Sequence, residues 1–308
     1  MSKLKIGVVR GGISSEREVS LKSGEGIIRE LNKDKYDVKD IVLDDKNDIF
    51  TSLDGVDFVF LGLHGKFGED GKIQAILETM DIPYTGCGVL ASSLCMDKDI
   101  TKHIMRSYGV RTAKWITVRE GGECEECGYS YAAACLGEDI IAKPNSGGSS
   151  VGVHFIKNEQ EFYEALKDIF TIDKEVIIEE VLRGVEISVP IIDGKVYPTL
   201  CIEPKAGTFF DYASKYEAGG ADEYVVEFEK ELQDEINELT KTAYHAVKCE
   251  GYARIDFMLK DNKPYLMEIN TLPGMTMTSL VPKSLKHLGV SYSELLDKLI
   301  EVSLKIKR

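Results

Sequence analysis

The sequence predicts an α/β protein with α+β character and more than one domain: an N-terminal unit built on a mostly parallel sheet, then two units richer in hairpins. Three observations carry this. Over residues 1–96, short β-rich runs alternate with amphipathic helical stretches, the order that yields parallel strands. In the second half, Asp193-Gly194 and Asp261-Asn262 each join two β-rich runs, which is how antiparallel hairpins are punctuated. At 308 residues the chain also exceeds what one core normally supports, so two or three domains are expected. The boundaries read as 1–96, 97–182 and 183–308.

In the first unit, residues 5–10 form an apolar strand, Gly11-Gly12 a turn, and Ser14 or Ser15 caps a helix reaching Leu31. Strands follow at 36–43 and 57–63, then a helix at 70–80 with Ile73, Ile76, Leu77 and Met80 on one face. Ligands of such sheets bind beyond the carboxyl ends of the strands. Glu16 follows the first strand and His64 ends the third, so both should face one crevice.

The second unit opens with a helix over 91–108 that carries Lys98. A strand at 139–143 ends in Lys143 and enters PNSGGSSVG, a glycine- and serine-rich hairpin loop whose N–H groups and hydroxyls can cover phosphate oxygens. It is not a Walker loop, because the lysine precedes the glycines and no helix follows directly. Asn158 and Glu161 form a capping box for a scaffold helix. The run at 175–182 ends at Arg183-Gly184, a hinge between units. Free strand-edge groups there suit adenine, which makes Glu179, Glu180 and Leu182 candidates, with Glu186 in reach of a ribose; exposed strand-end carboxylates are the plainer alternative.

The third unit has strands at 186–192 and 195–203. The aromatic, patternless stretch 205–222 then reads as an active-site lid. A helix at 229–249 packs on the sheet, and a last helix at 291–305 closes the unit. Between those helices lies the stretch with the most chemistry, a hairpin of strands 252–259 and 264–271. Side chains alternate along a strand, so Arg254 and Asp256 share a face, as do Glu268 and Asn270. Two carboxylates and an amide oxygen beside a cation suit a hard divalent ion, magnesium first. Gly274, in LPGMT, lets a main-chain N–H approach a ligand.

Composition narrows the function classes. Hydrophobic residues at 43% and charged residues at 29% are ordinary for a soluble protein, and no apolar run approaches bilayer length. The first strand is too short for a signal peptide, so the cytoplasm is the expected location. A net charge of −14 argues against nonspecific nucleic-acid binding, yet a few local lysines and a metal suffice to hold phosphate. Seven scattered cysteines fit reduced thiols; Cys124 and Cys127 form a C-x-x-C with no second pair and read as a solvated loop.

GGISSEREVSL, LGLHGKFGEDGKIQ, IPYTGCGVLASSLCMDK, KPNSGGSSVG, FFDYASKY, ARIDFM and MEINTLPGMTMTSLVPKS, in this order, resemble the signature blocks of the D-alanine:D-alanine ligases, members of the ATP-grasp superfamily. The resemblance spans nearly the whole chain and is weakest over 119–139. It implies a three-domain ATP-grasp architecture with ATP sandwiched between the second and third units. It also implies ATP-dependent joining of two D-alanines through an acyl phosphate, for cell-wall precursor synthesis, in a homodimer. Lys98, Lys143, Ser149 and Ser150 would then hold the ATP phosphates, and Glu179, Glu180, Leu182 and Glu186 the adenosine. Asp256, Glu268 and Asn270 would bind two magnesium or manganese ions. Arg254 and the N–H of Gly274 would face the oxyanion. Glu16 would bind the first ammonium, linked to Ser149 and Tyr216, while Lys215, Ser279 and Leu280 would hold the second substrate and His64 would lie beside both. Two rival readings stand: a relative that uses D-serine or D-lactate as second substrate, and a nucleotide-binding regulatory module without turnover.

Overall fold

The computed structural model describes residues 3–121, 128–148, 151–204 and 221–308. Among the described residues the strands form three sheets.

The first is parallel, in the order β2-β1-β3, from β1 (Leu4–Gly11), β2 (Tyr36–Leu43) and β3 (Phe58–Leu61). Ile6, Val8, Val9 and all of β3 are buried, the near-continuous apolar pattern of parallel strands covered on both faces. The crossover helix α1 (Arg17–Glu30) lies close on β1 because Gly24 has no side chain; a Cβ there would come within 2.6 Å of Arg10 Cβ. Helices α2 (Ile49–Ser52) and α3 (Lys72–Thr79) add Ile49, Ile73 and Leu77 to the same core.

The expected helix over 91–108 is two helices, α4 (Val89–Met96) and α5 (Lys98–Ser107). Asp97 between them is extended, and its carboxylate accepts from Ile100 N–H at 2.9 Å, so an N-cap interrupts what the apolar spacing reads as continuous. The second sheet is antiparallel, β4-β7-β5-β6, from β4 (Trp115–Arg119), β5 (Ile140–Pro144), β6 (His154–Ile156) and β7 (Glu175–Glu180). Helices α6 (Tyr129–Leu136) and α7 (Glu159–Ile169) pack on it through Ala132, Leu136, Phe162 and Ile169. Asn158 caps α7 as expected, accepting from Glu161 N–H at 2.9 Å, while Glu161 returns its bond to Lys157 N–H, one residue earlier than a standard capping box.

The third sheet runs β11-β10-β8-β12-β13, with β9 on β8. Its strands are β8 (Val185–Ile192), β9 (Lys195–Val196), β10 (Leu200–Pro204), β11 (Ala221–Val225), β12 (Tyr252–Lys260) and β13 (Lys263–Asn270). Both turn pairs take positive φ, +51° at Asp193 and +72° at Gly194, +52° at Asp261 and +56° at Asn262, the geometry that two-residue hairpin loops require. The single strand expected at 195–203 is broken around Pro198, which offers no N–H to a ladder. Ala221 and Asp222, expected in the lid, instead pair with Pro204 and Glu203 as part of β11. The rest of that segment, 205–220, lies outside the described residues, as do Cys124 and Cys127.

Helix α8 (Lys230–Ala246) covers the back of the third sheet with Ile236, Ala243 and Tyr244. Helix α9 (Leu280–His287) follows the hairpin. The final helix, α10 (Tyr292–Ser303), was expected to close this C-terminal unit, but its Leu295, Leu296, Leu299 and Ile300 share a core with Ile6, Val8 and Ile27 of the N-terminal sheet. With α8 already on the sheet behind the hairpin, the stripe of α10 buries against α1 instead. No described helix is long and apolar enough to cross a membrane.

Candidate active site

The hairpin pairs Arg254 with Asn270 and Asp256 with Glu268, so all four side chains leave one face. The other face carries Ile255, Phe257 and Ile269 into the core beneath α8. Asp256 is 5% exposed, and its carboxylate is gripped from three sides. Arg254 reaches it with Nε at 2.9 Å and Nη2 at 2.7 Å, Ser188 on β8 donates at 2.6 Å, and Asn270 Nδ2 donates at 2.9 Å. Asn270 also donates to Glu268 Oε1 at 3.3 Å. Burial works against the Arg254 charge, but Asp256 more than offsets it and raises its pKa.

Two carboxylates directly opposed on a ladder repel unless a cation lies between them. Here the Arg254 guanidinium and the Asn270 amide take part of that charge. The donor set is oxygen only, two carboxylates with an amide that can turn its oxygen inward, which fits magnesium or manganese. Among the described residues no cluster of three His, Cys, Asp or Glu side chains competes for a metal.

Facing the hairpin is the glycine loop. Lys98, the first residue of α5, donates Nζ to Gly147 O at 2.5 Å, while Asp99 N–H reaches the Asn145 side chain at 2.9 Å. The start of α5 is thereby bonded to the loop. Burial lowers the Lys98 pKa, with Glu268 pulling it upward and Lys143 reinforcing the depression. Lys143 pairs with Glu179 at 2.8 Å.

Glu179 is not the exposed strand-end carboxylate of the plainer alternative. Its side chain, 9% exposed, is not open at a strand end but lies between Lys143 on one oxygen and Lys102, at 2.7 Å, on the other. The Lys102 approach is charge-paired but off the hydrogen-bond direction of Oε1. Burial opposes ionisation of Glu179, yet the two lysines overcome it and bring its pKa from 4.5 to about 2. A carboxyl depressed in the fold stabilises above its unfolded pKa and loses that contribution as pH falls. Acid unfolding followed by circular dichroism should therefore steepen between pH 4.5 and 2. Glu179→Gln should be less stable at neutral pH and lack that part of the acid slope; an unaltered slope contradicts the assignment.

Glu180 turns its carboxylate the other way, accepting from Lys114 N–H at 2.8 Å. Leu182 lies in the connection 181–184, where a Cβ on Gly184 would fall 1.9 Å from Leu259 O, so the entry to β8 passes too close to β12 for any side chain. Glu186 is half-buried on β8, opposite Met258. An open pocket of about 710 Å³ lies beside Glu180 and Leu182, lined by Arg106, Arg111, Trp115 and Tyr265, but none of Lys98, Lys143, Asp256 or Glu268 lines it, so it is not the centre of the chemistry.

The N-terminal unit meets the same region. A Cβ on Gly65 (φ +68°) would lie 2.7 Å from Glu16 Oε2, and one on Gly148 3.3 Å from it, so the Glu16 carboxylate sits between the His64 loop and the glycine loop. Ser14 donates to His64 O at 2.6 Å, and the His64 ring has Ser23 Oγ at 3.0 Å and Glu69 at 3.6 Å. A Cβ on Gly274 would stand 3.2 Å from Ser279 Oγ and 4.0 Å from His64 Cε1, which places these three together. Ser279 Oγ accepts from Thr276 N–H at 3.0 Å, and Leu280 is buried at the start of α9. Ser149, Ser150, Lys215 and Tyr216 lie outside the described residues. Lys102 and Ser188 escaped the sequence reading, although each left a trace: Lys102 is four residues from Lys98 on one helix, and Ser188 shares a strand face with Glu186.

Known proteins resemble this chain along nearly its whole length. The family models described as "D-ala D-ala ligase C-terminus" and "D-ala D-ala ligase N-terminus" match residues 104–301 and 46–87. A D-alanine–D-alanine ligase of Clostridium perfringens (strain SM101) is 48% identical over 305 residues, spanning 99% of this chain and 100% of that protein. The structure of a D-alanine–D-alanine ligase from Bacillus anthracis complexed with ATP is 41% identical, with TM-score 0.88 over 98% of each chain. A D-Ala:D-Ser ligase from Enterococcus faecalis is 31% identical, with TM-score 0.85, over 98% of this chain and 100% of that one. Three sheets of ATP-grasp type, one charged hairpin face and matches over the whole length lead to one assignment: the chain belongs to the D-alanine–D-alanine ligase family.

Proposed function

We propose that the protein joins two D-alanine molecules into D-alanyl-D-alanine at the expense of ATP. The observation that carries the reading is the convergence on one place of the Arg254, Asp256, Glu268 and Asn270 face, the Lys98 and Lys143 ammoniums, and the Glu16 and Gly274 loops. The carboxylate of the first D-alanine attacks the γ-phosphorus in line. The new O–P bond forms as the bond to ADP breaks, leaving an acyl phosphate. Lys98 and Lys143 balance the polyphosphate charge, and Glu16 holds the first ammonium so that its carboxylate points at phosphorus. The amine of the second D-alanine then forms the C–N bond at the acyl carbon and gives up a proton, and the tetrahedral oxyanion collapses as the C–O bond to phosphate breaks. Arg254 and the N–H of Gly274 stabilise the oxyanion, and Ser279 with Leu280 lines the second substrate's place. Asp256, Glu268 and Asn270 are the residues to hold magnesium or manganese, which supplies positive charge to the phosphoryl oxygens. Backbone groups at 180–182, with Glu186, suit the adenosine. A homodimer working in the cytoplasm completes the reading.

The test is product mass and phosphate release with ATP and magnesium, offering D-alanine alone, then D-serine, D-lactate or L-alanine beside it. D-alanyl-D-alanine from D-alanine alone is the expected result, in keeping with identity of 48% to a D-alanine–D-alanine ligase against 31% to the D-Ala:D-Ser enzyme. Preference for a mixed product, or no turnover, overturns it.

A further inference from the structure

Lys102 is a buried charge that the reaction as written does not use. It sits on α5 one turn after Lys98, 2% exposed, beneath the sheet that carries Lys143. Its ammonium has three neighbours: Glu179 Oε1 at 2.7 Å, Ala113 O at 3.2 Å, and the Trp115 ring, 5.1 Å away at its centroid. Glu179 takes Lys102 on one oxygen and Lys143 on the other, so helix α5 and strand β5 are joined through a carboxylate on β7.

The charge count decides what this arrangement does. Without Lys102, Lys143 and Glu179 would form a neutral pair, and a neutral pair attracts a polyphosphate only weakly. With Lys102 the group carries one net positive charge, and Lys143 shares its carboxylate with a competitor. A buried lysine costs free energy to charge, and a buried ion pair is weak evidence of stabilisation, so the charge calls for a role beyond packing.

We propose that Lys102 is a positioning residue for nucleotide binding: through Glu179 it keeps the Lys143 ammonium from being neutralised and aims it at the polyphosphate. This rests on the ATP-dependent reading given above and adds to it a residue that touches no substrate. Burial depresses the Lys102 pKa, while Glu179 opposes the shift. The neighbouring Trp115 ring, attractive to a cation, does the same from the other side.

The experiment compares the full chain with Lys102→Met and Lys102→Gln. Met retains the stem without charge; Gln keeps a donor for Glu179 and Ala113 O, so it remains informative if the Met variant fails to fold. KM for ATP should rise about tenfold in the folded variants while kcat falls by less than about threefold. Calorimetric titration with magnesium-ATP should show the same tenfold loss in affinity without any turnover. A purely structural lysine would lower the melting temperature yet leave the ATP affinity of the folded protein within about twofold of the parent, and that result overturns the proposal. Absence of dipeptide from the unaltered protein would sink the reaction proposed above, whereas the ATP titration would still decide the role of Lys102. If the unaltered protein binds no magnesium-ATP, both fall.

Discussion

Replacing Arg254 by Met should lower kcat for dipeptide formation by about 10²–10³, the size expected when one preorganised donor to a developing oxyanion is removed. The same substitution should lower the unfolding temperature, because Asp256 is 5% exposed and loses the Arg254 guanidinium. Breaking one partner out of a buried ion pair typically costs about 3–5 kcal/mol, reduced here because Ser188 and Asn270 still donate to the carboxylate. The two effects separate experimentally. Arg254→Lys restores a positive charge but not the two-pronged contact, so it should recover stability better than rate. Steady-state kinetics alongside thermal melts would show this, and a Met variant with kcat within about threefold of the parent would remove Arg254 from the oxyanion site.

The second large effect lies on the opposite face of the same strand. Phe257 is fully buried beside Ile187, Val189 and Ile255, and follows the irregularity in the β12–β13 pairing immediately after Asp256. Phe257→Ala should destabilise the protein by about 3–5 kcal/mol, from lost transfer energy and the cavity left behind. Loss of the packing that fixes β12 against β8 also loosens the face that carries Asp256. The activity of the folded fraction should fall with it, and Phe257→Leu should recover much of both. Urea unfolding followed by tryptophan fluorescence and by circular dichroism would measure the stability change. A loss under about 1 kcal/mol would mean that the site can collapse around the gap, and that this strand is not the rigid base the reaction needs.

Much of the site was legible in the sequence because strand alternation has a period of two. Once Asp261-Asn262 was read as a turn, the facing of Arg254, Asp256, Glu268 and Asn270 followed, and the register pairs them so. The juxtaposition of Glu16 with the His64 loop followed in the same way from the rule for parallel strand ends. What stayed hidden depended on burial of charge. Nothing in the order of residues marks Glu179 as enclosed by two lysines rather than exposed at a strand end, since that depends on α5 crossing behind β7. The break at Asp97 is hidden as well, because an aspartate within an apolar pattern reads equally as a solvent-facing helix position or a cap. The last helix reads from sequence as closing the C-terminal unit, but amphipathicity states only that a face is buried, not what buries it, and the N-terminal core does so here.

That last helix has a consequence for how the chain comes to be folded. Every strand of the N-terminal sheet is synthesised early, while the leucines of α10 that complete its core are synthesised after all thirteen strands of the described fold. Domains usually fold as they emerge from the ribosome. Here the first unit holds part of its apolar surface uncovered until the helix after the thirteenth strand has emerged, and residues of the third unit such as Tyr252, Leu272 and Val281 join the same core. Loss of the final helix would therefore be felt first at the opposite end of the sequence, in the unit that carries Glu16 and His64.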